Sequence, residues 1–318
     1  MDKLQGHVHT RFMPARSYEF IQLDVFTQTR LAGNPLAIFP DAQGLSDDEM
    51  QALAREMNLS ETTFILPRDP AIEARAGKKV RIFTVEEELP FAGHPTLGTA
   101  LYLYASDADL ERPAQITLDL KAGKIPVRFK PHSENVGNRV DGQVFGEMRQ
   151  RDPEFGTPLS REEVARVIGI AVDEISSDSP IQPVSTGLTF TIVPFRNQQT
   201  LSNLKFTYAQ AAKFLKDTGA QFFYFLCPER RDGRLEVRAR MFFYGGEDPA
   251  TGSAAGCAAS WLVKHGIGNS DDQMLIRQGA ECRRPSEMYV RATRQGERVT
   301  NVRVGGYAVE ILRGTVAL

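Results

Sequence analysis

The carboxyl group best placed for proton transfer in this sequence is that of Glu61. It follows a segment of helical periodicity and begins the apolar run TTFIL, which is typical of a strand. A carboxyl at such a boundary can face a cleft while partly withdrawn from water, and this withdrawal raises its pKa toward neutrality. Glu61 is therefore a candidate proton carrier. On position alone, a solvated charge at a helix end is an equally good interpretation.

Two segments rich in small residues each run from a turn into a helix: PFAGHPTLGTA (90–100) and EDPATGSAAGCAA (247–259). A helix N-terminus presents unpaired N–H groups and partial positive charge. Two such ends facing one cleft would bind a carboxylate or a developing oxyanion. Tight helix packing is the alternative and explains the alanines, but it leaves His94, Asp248 and Ser253 unexplained.

His94 and Asp248 supply further acid–base capacity in the same predicted cleft. The helix dipole disfavours a charged imidazole at a helix start, so His94 is expected to be a neutral hydrogen-bond donor or proton relay. Asp248 could instead stabilise a helix N-terminus without any catalytic task. Arg81 and Arg240 could pair with a substrate carboxylate, but outward-facing strand arginines are common, so both are left outside the predicted site.

The chain contains an internal repeat of domain length. Residues of the first half recur in the second half at a constant offset of 159 positions, as Arg81, Glu88, Pro90 and Gly93 against Arg240, Glu247, Pro249 and Gly252. Upstream, at an offset near 160, FILP (64–67) aligns with YFLCP (224–228) and IQLDVFT (21–27) with IQPVSTG (181–187). Two long copies predict two mixed α/β halves with separate cores, and not a solenoid.

The same alignment places Gln221 opposite Glu61. Because Gln221 cannot titrate, a mechanism with one base fits this asymmetry better than a racemase with two bases.

The boundary between the halves is predicted near residue 155. Residues 149–160 (RQRDPEFGTPLS) contain charges, two prolines and a glycine, as a linker would. The predicted domains are 18–155 and 156–318, and the last strand can pack back on the first half. Capping boxes at 46–49 and 160–163 predict helix starts.

Composition favours a small ligand. Lys plus Arg (38) nearly balance Asp plus Glu (40), so no charge pattern indicates nucleic acid or a membrane surface as a partner. The 3 cysteines match no zinc or redox spacing and no apolar segment resembles a signal peptide, which predicts a cytoplasmic protein. His7 and His9 could form a metal handle, but a plain terminus is the better interpretation. No pattern calls for a nucleotide, flavin, pyridoxal phosphate or metal, so no cofactor is expected.

The chain resembles the PhzF-like phenazine-biosynthesis family, which is similar in fold to diaminopimelate epimerase. The resemblance covers residues 18–318. It rests on the segments LDVFT...GNPLAIF (23–39), NLSETTFIL (58–66), RIFTVEEELPFAGHPTLGTA (81–100), GEDPATGSAAG (246–256) and VRVGGYAVEILRG (302–314).

The resemblance implies an α/β (α+β mixed) fold of two pseudo-symmetric diaminopimelate epimerase-like domains. Each would be a curved mixed sheet around a central helix, with the active site in the interdomain cleft, and the protein would be a homodimer. The implied acid–base residue is Glu61. The other implied site residues are His94 and Asp248 as catalytic groups, and Asn34, Ser60, Gly93, Gly252 and Ser253 as substrate contacts.

The expected function is that of a cofactor-independent isomerase that moves a proton within a small carboxylic acid, of the dihydro-hydroxyanthranilate type or a related one. Two alternatives stay open: a one-base racemase or epimerase of an amino or hydroxy acid, and a carboxylate-binding protein without catalysis. Diaminopimelate epimerase has a cysteine at each helix start, where this chain has His94 and Ser253, and Cys257 comes one turn later. A two-thiol epimerase is therefore disfavoured. Val85 and the acidic run 86–88 depart from the family pattern in one loop.

Overall fold

The computed structural model describes residues 16–106, 113–131 and 140–318. His7 and His9, considered above as a metal handle, lie outside these residues. Within the described part of the chain, no helix is both long and apolar enough to span a bilayer.

Strands and helices alternate along both halves. The first half contains the strands β1 (Ser17–Val25), β2 (Asn34–Phe39), β3 (Glu61–Leu66), β4 (Lys78–Phe83), β5 (Glu88–Leu89), β6 (Gln115–Leu120), β7 (Gly123–Pro131) and β8 (Val144–Arg149). Its helices are α1 (Asp47–Met57), α2 (Pro70–Ala76) and α3 (Gly93–Ser106).

The second half repeats the order of the strands but differs in its helices: two helices take the place of α1, none takes the place of α2, and further helical segments precede its first long strand. Its strands are β9 (Glu154–Phe155), β10 (Gln182–Ser185), β11 (Thr189–Pro194), β12 (Phe222–Arg231), β13 (Arg234–Phe243), β14 (Gly246–Glu247), β15 (Met274–Gln278), β16 (Ser286–Gln295), β17 (Arg298–Gly306) and β18 (Ala308–Ala317). Its helices are α4 (Arg161–Ile168), a short 3₁₀ turn (Val172–Glu174), α5 (Gln198–Asn203), α6 (Tyr208–Asp217) and α7 (Gly252–Lys264).

The pairing of the strands shows the repeat directly. In the first half β1–β2 is antiparallel, β2–β3 parallel, β3–β4 antiparallel, β4–β6 parallel, and β6–β7 and β7–β8 antiparallel. The second half has the same series through β10, β11, β12, β13, β15, β16 and β17. The fold prediction of two pseudo-symmetric mixed α/β halves is confirmed.

Strands of the two halves also pair with each other. β8 pairs with β17, and the last strand, β18, pairs antiparallel with β1. β9 lies inside the segment predicted to be a linker and pairs with β10. The chain therefore crosses between the halves through hydrogen-bonded strands.

The central helices α3 and α7 are buried on nearly all sides, and their N-termini meet. A Cβ added to Gly93 would lie 3.2 Å from the Cα of Gly252 and 3.2 Å from the Ser253 nitrogen. These distances are tighter than most Cβ contacts, so a glycine at the start of α3 favours this approach.

Local signals in the sequence form the predicted caps and turns. Ser46 and Glu49 make the capping box of α1, and Ser160 accepts a hydrogen bond from the Glu163 N–H at the start of α4. Asp232 and Gly233 have φ values of 49° and 77° in the turn between β12 and β13. These values are typical of a two-residue hairpin turn.

Both strand arginines of the repeat form bidentate ion pairs with the glutamate seven residues later. Arg240 bonds Glu247 at 2.8 Å through Nε and at 2.8 Å through Nη2, and Arg81 bonds Glu88 at 2.8 and 3.0 Å. Each guanidinium also lies over the ring of a phenylalanine two residues on. The arginines stabilise the short hairpins β4–β5 and β13–β14. Because their guanidinium groups are paired there, they are not available to bind a substrate carboxylate.

The two arginine–glutamate pairs should differ in their contribution to stability, and Arg81 is the matched control for Arg240. Nη1 of Arg240 also donates to the carbonyls of residues 201, 202 and 204, whereas Arg81 donates to Asp47, whose side chain is 79% exposed. Lysine cannot satisfy this buried fork, so Arg240→Lys should lower the free energy of unfolding by about 2–4 kcal/mol. Arg81→Lys should cost about 1 kcal/mol or less. Urea unfolding of both variants measures this, and equal losses would contradict it.

Candidate active site

The position of Glu61 follows from the parallel pairing of β2 and β3. Leu36 lies opposite Glu61 in this pairing, so Asn34, at the start of β2, and Glu61, at the start of β3, lie at the same edge of the sheet. The intervening helix α1 ends at Asn58, which has a left-handed backbone with φ of 51°. This cap turns the chain toward the edge, and Ser60 is half-buried beside Glu61.

Glu61 is a largely buried carboxyl close to His94. Its side chain is 17% exposed, and its Oε2 lies 3.5 Å from Nδ1 of His94. Burial raises the pKa of Glu61 to about 8, and the negative charge of Asp248 adds to this effect. The predicted desolvation of Glu61 is present in the structure, and its cause is the packing of the site as a whole.

His94 holds a neutral ring in this site. Its side chain is 5% exposed, and burial lowers its pKa to about 3, although a hydrogen bond to the Pro35 carbonyl opposes the change. The sequence attributed neutrality to the helix dipole. In the structure, loss of water is the dominant cause.

Asp248 is clamped by two side chains. Its Oδ1 accepts a hydrogen bond from the Asn34 amide at 2.9 Å, and its Oδ2 accepts one from the Thr251 hydroxyl at 2.6 Å. Burial raises the pKa of Asp248 to about 6, and these hydrogen bonds limit the rise. Asn34 also donates to the Ala250 carbonyl at 3.0 Å, so it joins the first half to the second.

Sequence reasoning missed a buried network behind Asp248. The Gln278 amide donates to the Asp248 carbonyl at 2.7 Å and to the Thr251 hydroxyl at 2.9 Å, and it accepts a hydrogen bond from the Tyr224 hydroxyl at 3.0 Å. Thr251 lies within the EDPATGS segment and could have been suspected. Gln278 and Tyr224 stand in ordinary strand sequences with no distinguishing pattern.

Several buried polar atoms converge here without a partner. Among the described residues, no group hydrogen-bonds to Glu61 Oε2, His94 Nε2 or Asn34 Oδ1. Native proteins rarely leave such atoms unsatisfied, so a water molecule or a polar ligand can bind to them here.

The two helix starts border the same place. The ladder of α3 begins with the Thr96 N–H donating to Ala92, and that of α7 with the Ala255 N–H donating to Thr251. The N–H groups of Gly93, Gly252 and Ser253 therefore precede the helical hydrogen bonds. Ser253 is half-buried, unlike the fully buried residues that follow it.

The structure brings together Asn34, Glu61, His94 and Asp248, with the glycine contact of α3 and α7 beside them. Cys257 is not part of the group. It is fully buried in α7 next to Thr186, and burial raises its pKa to about 11. Within residues 16–106, 113–131 and 140–318, no cluster of His, Cys, Asp and Glu could hold a metal ion.

Comparisons with known proteins agree with this architecture. The 36% identical trans-2,3-dihydro-3-hydroxyanthranilate isomerase of Pseudomonas aeruginosa aligns over 305 residues, which cover 95% of this chain and 100% of that protein. An uncharacterized isomerase of Mesorhizobium japonicum is 34% identical, covering 95% of this chain and 99% of its own. The crystal structure of a Bacillus anthracis phenazine biosynthesis protein of the PhzF family superposes with a TM-score of 0.81 at 28% identity, covering 95% and 100% of the two chains.

A family model described as phenazine biosynthesis-like protein, PhzC-PhzF, matches residues 23–314. This match spans most of both halves and all the predicted site residues. The chain therefore belongs to the PhzC-PhzF family of phenazine biosynthesis-like proteins.

Proposed function

We propose that this isomerase moves a proton between two atoms of one small carboxylic acid, with Glu61 as the single acid and base and without a cofactor. The supporting observation is a buried carboxyl with a pKa of about 8 that lies 3.5 Å from a neutral imidazole and has a free oxygen. A carboxyl in this range can accept a proton near neutral pH and return it to another atom.

Glu61 suits this role better than Asp248. Both oxygens of Asp248 accept hydrogen bonds from Asn34 and Thr251, which stabilise its charged form. Glu61 has no such donor among the described residues at Oε2, and the nearby Asp248 charge makes it more basic. Asp248 therefore acts as a fixed charge that tunes Glu61, and Asn34 orients Asp248.

The substrate carboxylate binds at the helix starts in this proposal. Free N–H groups of Gly93, Gly252 and Ser253 supply donors, and the two helix dipoles favour negative charge there. Neutral His94 adds no positive charge, and because its one N–H donates to the Pro35 carbonyl, its Nε2 accepts a hydrogen bond from the substrate. Because the Pseudomonas aeruginosa relative is named trans-2,3-dihydro-3-hydroxyanthranilate isomerase, that acid is the first substrate to test.

A single base also agrees with the asymmetry of the repeat. Gln221, the counterpart of Glu61, is exposed and cannot titrate. Neither helix start carries a cysteine, and Cys257 is buried away from the contact of α3 with α7. Stereochemical inversion at one carbon would need the proton to return to the opposite face, which one carboxyl does less readily than two.

The decisive test is deuterium incorporation from heavy water into this acid and a panel of unsaturated and amino carboxylic acids. Glu61→Gln should slow incorporation by about 10²–10⁴-fold, since general acid–base catalysis contributes that much. Glu56→Gln, on the exposed side of α1, is the matched control and should retain the parental rate. Mass spectrometry measures the label.

Three outcomes separate the candidate functions. Exchange with loss of optical activity and no change of ultraviolet absorption would replace isomerisation by epimerisation. Equal exchange in Glu61→Gln and parent would remove Glu61 from the mechanism. No exchange with any acid, while both proteins bind one equally, would leave a carboxylate-binding protein.

The raised pKa of Glu61 also predicts how stability depends on pH. Between its ordinary value of 4.5 and about 8, the folded protein keeps a proton that the unfolded chain has lost, so stability falls as pH rises. Glu61→Gln lacks this titration. From pH 5 to 8, the free energy of unfolding of Glu61→Gln should therefore increase relative to that of the parent. The increase should be at most about 1.4 kcal/mol per pH unit. Urea unfolding at several pH values checks this, and a constant difference would refute the raised pKa.

A further inference from the structure

Gln150 is a buried side chain that reaches the start of α7. It follows β8, is 7% exposed, and its backbone N–H donates to the Val302 carbonyl at 2.9 Å. Its Nε2 donates to the Gly252 carbonyl at 2.9 Å, and its Oε1 accepts a hydrogen bond from the Thr186 hydroxyl at 2.7 Å. The Thr186 bond fixes the amide so that its donor faces α7.

Gly256 makes room for this side chain. A Cβ on Gly256 would overlap the amide oxygen of Gln150. Gly256 lies inside α7, which continues for two more turns after it. Glycine inside a helix is less stable than alanine there. Gly256, Gln150 and Thr186 therefore form one unit. The glycine makes α7 less stable than an alanine would, but it leaves room for the Gln150 amide.

Gly252 is the first residue of α7, and the hydrogen bond from Gln150 supports the helical orientation of its peptide, including the direction of the next N–H group. The Gly252 carbonyl and the Ser253 N–H belong to one planar trans peptide, so they point in opposite directions. The Ser253 nitrogen lies 3.2 Å from the position that a Cβ on Gly93 would take, which places it at the meeting point of α3 and α7. When the Gly252 carbonyl points toward Gln150, the Ser253 N–H points away from Gln150 and toward the meeting point of α3 and α7.

Two positions of this unit differ in the first half. The repeat places Leu97 opposite Gly256 and Phe26 opposite Thr186. Both are fully buried apolar residues, and the ring of Phe26 packs toward Gly252. At these two positions the first half therefore has no polar side chain.

We propose that Gln150 is a positioning residue that orients the Gly252–Ser253 peptide so that the Ser253 N–H binds the substrate carboxylate. This rests on the proposed function of the site. Gln150 does not touch the reacting atoms, so it acts on affinity for the carboxylate and not on the proton transfer by Glu61.

The first experiment compares Gln150→Met with a matched control, Gln182→Met. Gln182 is 6% exposed, donates to the Gly156 carbonyl at 2.7 Å and bonds His265, but does not contact the start of α7. With trans-2,3-dihydro-3-hydroxyanthranilate, Gln150→Met should raise KM about tenfold and leave kcat within about twofold. Gln182→Met should change neither. An unchanged KM in Gln150→Met, or equal rises in both variants, would overturn the proposal.

A second variant tests the role of Gly256. Gly256→Ala should displace the Gln150 side chain and raise KM by about the same factor. In a Gln150→Ala background the space is empty, so adding Gly256→Ala should raise KM no further. Additive increases in the double variant would contradict a shared unit.

A readout without substrate separates this proposal from the proposed function. If the parent turns over no acid, the isomerase assignment fails, but hydrogen exchange of the backbone amides of residues 250–256 still reports on Gln150. These amides should exchange about tenfold faster in Gln150→Met than in the parent and in Gln182→Met. Equal exchange in all three proteins would overturn the positioning role.

Discussion

The close approach of α3 and α7 at Gly93 and Gly252 is the constraint on which the site depends. Each helix is held inside its own half by strands that pair in the same order, so the repeat brings the two N-termini to one place. Glycine at both starts allows contact within van der Waals distance. A side chain at Gly93 would push against the backbone of Gly252 and Ser253, so the N–H groups of α3 and α7 border one space most closely with glycine there.

Burial at this contact then decides the chemistry of the carboxyl groups. Glu61 and Asp248 occupy the same desolvated region, yet their pKa values separate to about 8 and about 6. Hydrogen bonds from Thr251 and Asn34 limit the rise in the pKa of Asp248, while the charge of Asp248 adds to the rise in the pKa of Glu61. Environments that push two carboxyls apart in pKa give them different roles, one as a charged group and one as a proton carrier.

The repeat gives the two halves the same framework, and residues that differ between the halves make the site asymmetric. The pairs of Arg81 with Glu88 and of Arg240 with Glu247 have the same geometry and hold equivalent hairpins. Polar groups differ between the halves, since Glu61 stands opposite Gln221 and His94 opposite Ser253. The proposed mechanism with a single base uses this asymmetry.

The sequence by itself determined most elements of this protein and predicted the residues of the candidate site. Capping boxes, the Asp232-Gly233 turn and the offset of 159 positions are local or linear signals, so helix starts, a hairpin and the two halves could be predicted. Glu61, His94 and Asp248 stood out for the same reason. Tertiary structure alone decided which groups lose water and which gain partners. His94 is neutral because packing buries it, and Gln150 and Gln278 act on α7 across long stretches of chain. Neither burial nor contact between distant residues is encoded in any local pattern.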